Sequence, residues 1–543
     1  MAKFNTSATT SKTLASRKDV TTNAAGGQAF TLSPKMRLYQ TVCSSLVSEP
    51  KYYKTVIESK DEHGNKVIKN FDSTDALIIQ TIQEVAKEDP EFVLALARYA
   101  REEMHLRSVP LLLLGEAANL ESFKAKPGQK NLVKEYTPLI IKRADELTEI
   151  LAYHFGRFDH NVPHGLLRGI KNSVKGFDQY SLGKYNRDKT VKMKDMLRLV
   201  HPKPKDETQS VVFKKLLDDT LESPETWEVI LSDWKGKGFA SKKAAWEHIV
   251  DNVFCKDGKV FNYMAILRNV RNILDEKVSQ DHMQKVIAAL RNENAVKYSK
   301  QLPFRFYSAY RELEKQKSAH PLMNLVLDAL EDAMEISCQN LPEFKGVTFI
   351  TADESGSMNN PLSAKSSMTY QTVGNLMAAI SQKHCEMSIT SAFGENFQIV
   401  NTSKRSGIFD NLKKMEAANV GHSTYGYKAL QYLIENKVKV DRVMIFTDCE
   451  LYNAHNSWGN VHSTNTIAAL FKNYKSSINP NTRLYVFNLA GMGDMCFPED
   501  EKNVCLLSGW SEKVLSFVQT YEQDASAALA KIEQYKLSTK SPQ

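Results

Sequence analysis

FITADESGSM, residues 349–358, decides how the second half of the chain is read. Phe349 and Ile350 belong to an apolar run, which then breaks into Asp353, Ser355 and Ser357 around Gly356. A carboxylate and two hydroxyls at alternate positions, directly after a buried strand, raise the question of what those oxygens serve. Around this stretch, GVTFITAD, EMSITSAFG, DRVMIFTD and RLYVFNLAG are short runs rich in β-branched and aromatic residues. TVGNLMAAISQKH and STYGYKALQYLIEN, between them, have helical character. Near-continuous apolar strands alternating with helices predict a parallel sheet covered on both faces. Ligands of such sheets bind at the carboxyl ends of the strands.

Asp353, Ser355 and Ser357 then sit on the loop that closes the first strand. Two further loops, also expected at strand ends, supply oxygen: GHST at 421 presents Thr424, and VMIFTD at 443 ends in Asp448. Two carboxylates and three hydroxyls, completed by water, offer a hard divalent cation six oxygen ligands. The set suits Mg²⁺ foremost and Mn²⁺ next, since it needs neither Cys nor His. A DxSxS alone is usually a capped turn; Thr424 and Asp448, in order, shift the balance to a metal site. The constellation resembles the metal-ion-dependent adhesion site of von Willebrand factor A domains, over about residues 345–520. The small Gly-Gly-Thr turn of that family is Gly421-His422-Ser423-Thr424 here, one residue longer, so Ser423 is the alternative ligand.

From about residue 30 to 340 the pattern is helical. Ile78, Ile82 and Val85 recur at helical spacing after the capping candidates Ser73, Thr74 and Asp75. Asp89-Pro90 restarts a helix, with Asp as its cap and Pro in its first turn, and Val93, Leu96, Ala97 and Ala100 give the next apolar face. Helices joined this tightly pair antiparallel. KEYTPLIIKRADELTEILAYHFG and DHMQKVIAALRNENAVKYS continue the pattern, as stacked helical hairpins of HEAT type. VPLLLLGEAA at 109 is too short to span a membrane and reads as buried helix.

Residues 161–205 hold eleven Lys and Arg against three Asp, an excess of eight that equals the net charge of the whole 543-residue chain. Charge concentrated in this way is a footprint of phosphate binding, although a solvated Lys-rich helix face is the plain alternative. Tyr180, Tyr185 and His201 lie among these cations and can stack on bases or donate to them. GKYNRDKTVKMKDMLRLVHPKP at 183 resembles the core signature of the TROVE module. MAILRNVRNIL at 264, LPFRFYSAYREL at 302, LYQTVCSSLVSEPKYY at 38 and EFVLALARYARE at 91 resemble further blocks. A helical module followed by a von Willebrand A domain is the arrangement of Ro proteins, and the resemblance spans about residues 28–530.

The resemblance implies a multidomain chain: a ring of HEAT-like helical repeats closed by a Rossmann-like α/β A domain. It implies binding of small noncoding Y-like RNA on an outer basic surface and of single-stranded 3′ ends of misfolded RNAs in the hole. The RNA contacts it implies fall on Lys184, Arg187 and His201. The turn is one residue shorter than the common pattern, so Lys189 or Lys192 can take either of the first two roles. Arg268 and Arg271, in LRNVRN, face phosphate if their helix lines the hole; otherwise they meet the neighbouring repeat. Arg305, between Phe304 and Phe306, reads first as part of an aromatic packing group. The resemblance also implies an exoribonuclease partner such as polynucleotide phosphorylase, joined through a Y-like RNA.

The expected division is a disordered tail over 1–28, the TROVE module over 29–340, the A domain over 341–525 and a C-terminal tail over 526–543. Residues 1–28 lack the apolar run of a signal peptide. Seven cysteines without a CxxC pair suit reduced thiols and a cytoplasmic setting. No GxSxG elbow, Walker A motif or kinase set is present, so Ser355 and Ser357 are not read as nucleophiles and no enzyme is expected. His455 and His462 read as residues of a surface loop, 451–465, that rims the metal site. A protein-adhesion scaffold, its metal completed by a partner's carboxylate, is the alternative function. A metal-dependent hydrolase or chelatase subunit is a weaker one.

Overall fold

The computed structural model describes residues 19–22, 28–44, 58–60, 66–68, 73–124, 128–186, 189–301, 303–315, 320–339, 341–362, 366, 368–451, 466–490, 496–498, 503–508, 514–515, 518–519, 522 and 528–538. The chain forms two compact units. One comprises Leu32–Pro224 with Ser526–Gln543, the other Met1–Thr31 with Glu225–Ala525.

The first unit is built on helices. Asp89 caps Pro90–Glu102 by accepting from the Phe92 N–H at 3.2 Å, and Pro90 sits in the first turn, where no amide donor is needed. Helix Ser108–Asn119 is buried from Val109 to Ala118, which is why VPLLLLGEAA carries almost no polar residue. Helices Leu132–Ile140 and His164–Ser173 approach closely at Gly169, where a Cβ would lie 2.4 Å from that of Thr137. Only glycine permits that approach.

Both expected tails require correction. Val20–Thr22, within 1–28, is a strand paired antiparallel with Gln28–Phe30. Residues 526–543 include the helix Ala528–Glu533, and the residues after it dock on the first unit. The Glu91 carboxylate accepts from the N–H groups of Leu537 at 2.8 Å and Ser538 at 3.1 Å and from the Tyr136 hydroxyl at 2.9 Å. Tyr535 donates to Glu103 at 2.6 Å and sets its ring edge-on to Tyr99. Lys536, buried, pairs with Asp89 at 2.6 Å. Ile532, fully buried, is the apolar anchor that a solvated tail would not need.

The second unit joins the helices from Trp227–Ser232 to Met323–Cys338 with the α/β region. The compact units therefore part at Pro224, not at the expected boundary near 340. The cause is packing: Tyr307 and Tyr310, on helix Pro303–Lys315, meet Phe409 edge-on, and Glu335 accepts from the Ile408 N–H at 2.7 Å and from Lys383 at 2.6 Å.

The sheet has six strands: β1 Phe344–Asp353, β2 Cys385–Phe393, β3 Phe397–Ile399, β4 Arg442–Thr447, β5 Arg483–Asn488 and β6 Val504–Ser508. Their order is β6-β5-β4-β1-β2-β3, all parallel except β3. Every residue of β4 and the last six of β1 are buried, as a sheet covered on both faces requires. Helix Tyr370–His384 lies on one face, with Gly374 against Phe446; Tyr432, on helix Tyr427–Glu435, stacks on Phe349 on the other.

Glu91→Ala removes an acceptor shared by three donors, of which Leu537 keeps Tyr136 Oη at 2.9 Å and Tyr136 keeps the Tyr535 carbonyl at 3.2 Å, and is expected to cost about 1–2 kcal/mol. Hydrogen exchange checks it: amides of Leu537 and Ser538 lose protection, while those of Ser108–Asn119 keep theirs. Burial pushes the Glu91 carboxyl up, but the bonds from Ser538, Tyr136 and Leu537 outweigh it and the net shift is downward. The contribution is thus complete above the unfolded pKa of about 4.3 and fades as pH falls through the folded value. The difference in urea midpoint between wild type and Glu91→Ala should shrink in that acid range.

Candidate metal centre and nucleic-acid surface

The chain leaves β1 for β2 and β3 on one side and resumes at β4 on the other. The crevice between the ends of β1 and β4 is therefore the point where strand order reverses, the usual ligand position in an open α/β sheet. Ala352 pairs with Phe446, which sets Asp353 beside Thr447 and leaves Asp448 just past the strand. The Thr447 hydroxyl donates to Asp353 Oδ2 at 2.6 Å, and the Ser355 N–H donates to Oδ1 at 2.9 Å. Ser355 Oγ and Ser357 Oγ lie 3.2 Å apart. Asp353, Ser355, Thr424 and Asp448 are all buried, and Ser357 is half-buried.

Thr424 does not follow a strand, contrary to expectation. It lies between helices Ile408–Glu416 and Tyr427–Glu435. Backbone bonds carry its loop to the site: Gly356 N–H to His422 C=O at 2.8 Å, Tyr425 N–H to Gly394 C=O at 3.0 Å and Asn396 N–H to Val420 C=O at 2.6 Å. A Cβ on Gly394 would lie 2.3 Å from the Gly421 carbonyl, so this contact needs glycine. Gly421 turns the backbone through φ +75°, which accommodates the additional residue of the GHST turn. The buried Thr424 hydroxyl makes no hydrogen bond, whereas Ser423 is only half-buried. Of the two, Thr424 is the one placed to need a ligand.

Burial first, and the charge of Asp448 second, push the Asp353 carboxyl up, against the hydrogen bonds from Thr447 and Ser355. Glu354, next in sequence and also buried, is pushed up to about 7 by burial and bonds Gln371. Among the described residues no group of three or more His, Cys, Asp and Glu side chains could hold a metal. The candidate rests on two carboxylates and three hydroxyls, an all-oxygen set that fits a hard cation. The buried pair Asp353 and Asp448 and the orphaned Thr424 hydroxyl are what bear on that fit. His422 is exposed and supplies only its carbonyl; His455 and His462 lie outside the described residues. Sequence reading missed Thr447, whose only signal is a hydroxyl directly before the strand-end aspartate.

The RNA-contact candidates divide between the units. In the first, Lys184 ends the helix Gln179–Lys184, and His201 follows the helix Met193–Val200 in a left-handed conformation, φ 44°. An exposed imidazole thus stands where glycine or asparagine is usual, as several other non-glycine residues of the described chain do. Arg168, Lys175, Lys189, Arg198, Lys203 and Lys205 are also exposed. Arg187 lies outside the described residues. In the second unit, Arg268 and Arg271 are exposed on one face of Tyr263–Asp275, while Asn269 between them is buried and donates to the Ala265 carbonyl. Arg305 is exposed with its guanidinium over Phe304.

Family models agree with these features. The TROVE domain matches residues 21–221 and 219–326, and the Ro60 vWA domain matches residues 348–522. Telomerase protein component 1 of Mus musculus is 23% identical over 365 residues, which is 52% of this chain and 13% of that protein. Its Rattus norvegicus counterpart is 23% identical over 366 residues with the same coverage. The chain thus spans only 13% of the length of these curated relatives. Among solved structures, the crystal structure of the Deinococcus radiodurans Ro (RSR) protein superposes with a TM-score of 0.58 at 17% identity, covering 90% of this chain and all of that one. Among the described residues, no helix is long and apolar enough to cross a membrane.

Removing the orphaned hydroxyl separates its role from packing. In chelator, Thr424→Val should raise stability by roughly 1 kcal/mol, because a methyl replaces an unsatisfied buried polar group of similar shape. Ser391→Ala, which deletes a buried donor to the Ile350 carbonyl at 3.1 Å, should instead lower it by about 1 kcal/mol. Urea unfolding of both variants checks the contrast.

Proposed function

The chain belongs to the TROVE-domain family, in the form that carries a Ro60-type vWA domain, and on that premise we propose that it binds RNA through the basic surface of residues 168–205. RNA binding is general to that family. The observation that carries the reading to this chain is the basic run from Arg168 to Lys205, whose net positive charge equals that of the whole sequence and in which Arg168, Lys175, Lys189, Arg198, Lys203 and Lys205 are exposed. Cations spaced along short helices neutralise successive phosphates and read little sequence.

The finer reading is a Ro-type ribonucleoprotein in RNA quality control. It holds a small noncoding Y-like RNA and engages single-stranded 3′ ends of misfolded structured RNAs. An exoribonuclease such as polynucleotide phosphorylase, joined through the Y-like RNA, and a cytoplasmic location complete it. Lys184, Arg187 and His201 are the contacts in the first unit, and Arg268 and Arg271 those in the second. Asp353, Ser355, Ser357, Thr424 and Asp448 hold one Mg²⁺, directly or through water. The ion neutralises the two buried carboxylates and offers a positive point to an anionic group of a partner.

Two measurements test this. A hairpin RNA with a single-stranded 3′ tail should outcompete a blunt duplex of matched length. Changing Lys184 and Arg187 should flatten the slope of log affinity against log salt by about 0.7 per lost phosphate contact. His201→Ser should weaken binding through a lost hydrogen bond or stack. Equal affinity for tailed and blunt RNA, or no effect of the three changes together, contradicts the reading. For the metal, millimolar Mg²⁺ should raise the melting temperature of wild type but not of Asp353→Ala. Because the ion competes with protons for carboxylates, the gain should be larger at pH 8 than at pH 6.

A further inference from the structure

The two tyrosines of the basic stretch, alike in sequence, are placed differently in the fold. Asp178 accepts from the Ser181 N–H at 2.8 Å and starts the short helix Gln179–Lys184. Tyr180 and Lys184 are four apart and share a face of it. The Lys184 ammonium lies 5.9 Å from the centre of the Tyr180 ring and 5.9 Å from that of Tyr185. The Tyr185 ring also carries the Arg143 guanidinium, at 5.0 Å. Tyr185 is half-buried, and two cations occupy it. Tyr180 is 50% exposed and meets Lys184 alone among the ring contacts of the described residues.

Arg143 is held from below. Its Nε and Nη2 donate to the two oxygens of Asp145 at 3.0 Å each. Asp145 is buried and also accepts from Arg107 at 2.7 Å. Arg107 in turn bonds Glu149 at 2.9 Å, and Glu149 pairs with Lys189 at 3.6 Å. A chain of charge therefore runs from buried carboxylates at the start of helix Ala144–Arg157 to Tyr185 and Lys189.

Resting on the reading of this surface as an RNA site, we propose that Tyr180 is a stacking platform for one unpaired RNA base, with Lys184 beside it on the adjoining phosphate, and that Arg143 is a positioning residue that acts through Tyr185. Every base presents a π-face, so the platform favours unpaired bases without favouring a sequence. Tyr185, pinned under Arg143, fixes the end of the helix and with it the place of Lys184. Asp145 and Glu149 keep Arg143 and Lys189 from collapsing onto the RNA.

The test compares one hairpin RNA carrying a single-stranded adenosine tail with the same hairpin carrying an abasic tail of equal length, by fluorescence anisotropy on the full chain. Wild type should prefer the adenosine tail. Tyr180→Leu should lower affinity for that tail roughly 5- to 100-fold, abolish the preference and leave the salt slope unchanged; Tyr180→Phe should keep the preference. Arg143→Met should reduce the preference although it touches no RNA, and Arg143→Lys should restore part of it. Circular dichroism and the melting temperature check that each variant is folded. Wild type that binds both tails equally, or Tyr180→Leu that keeps the preference, overturns the platform. An unchanged preference in folded Arg143→Met overturns the positioning role. Wild type that binds neither tail overturns the RNA reading itself.

Discussion

A buried carboxylate must be met by positive charge or give up its own, and the two units of this chain meet that constraint in opposite ways. In the first, Asp145, Glu146 and Glu149 are buried along one turn and answered by Arg101, Arg107, Arg143 and Lys189. The charge is closed within the protein and serves architecture. In the second, Asp353 is wholly buried beside Asp448, and what reaches it is a threonine hydroxyl and a backbone amide. Hydroxyls do not neutralise a charge. The first arrangement is an ion network within the protein and the second a pair of buried carboxylates met by neutral donors, and residue type alone does not tell the two apart.

A related contrast runs through the basic stretch. The cations that point outward in residues 168–205 are not a uniform face. Some are paired with acids, as Lys189 is with the buried Glu149 and Lys194 is with the exposed Asp219. Others, such as Arg168, Lys175 and Arg198, stand exposed. In the proposed site, net charge draws the anionic polymer and the paired cations hold the contour, so attraction and shape are assigned to different cations of one stretch.

Much of this was legible in the sequence because it is local. The alternation of apolar strands and helices announced the sheet, DxSxS announced the loop after β1, and Asp89-Pro90 announced a cap that the fold uses. What escaped was long-range. Thr447 matters only because β4 pairs with β1, a register no spacing reveals. The approach of Gly394 to Gly421 decides that Thr424 reaches the site, yet neither glycine is remarkable alone. Residues 528–538 look like a polar tail until Glu91, more than 400 positions away, is seen to accept from them. The division at Pro224 is likewise set by Tyr307, Tyr310 and Glu335 meeting the 408–416 helix, a contact between segments far apart in the chain.

Ultraviolet crosslinking of the native protein to its copurified RNA, followed by mapping of the crosslinked peptides, decides whether the basic stretch of the helical region is where RNA is held. The account predicts crosslinks concentrated within residues 168–205, Tyr180 among them, with a second group on the 263–275 helix, and none on the loops around Asp353 and Asp448. Crosslinks confined to the α/β region, or a protein that carries no RNA at all, would contradict it.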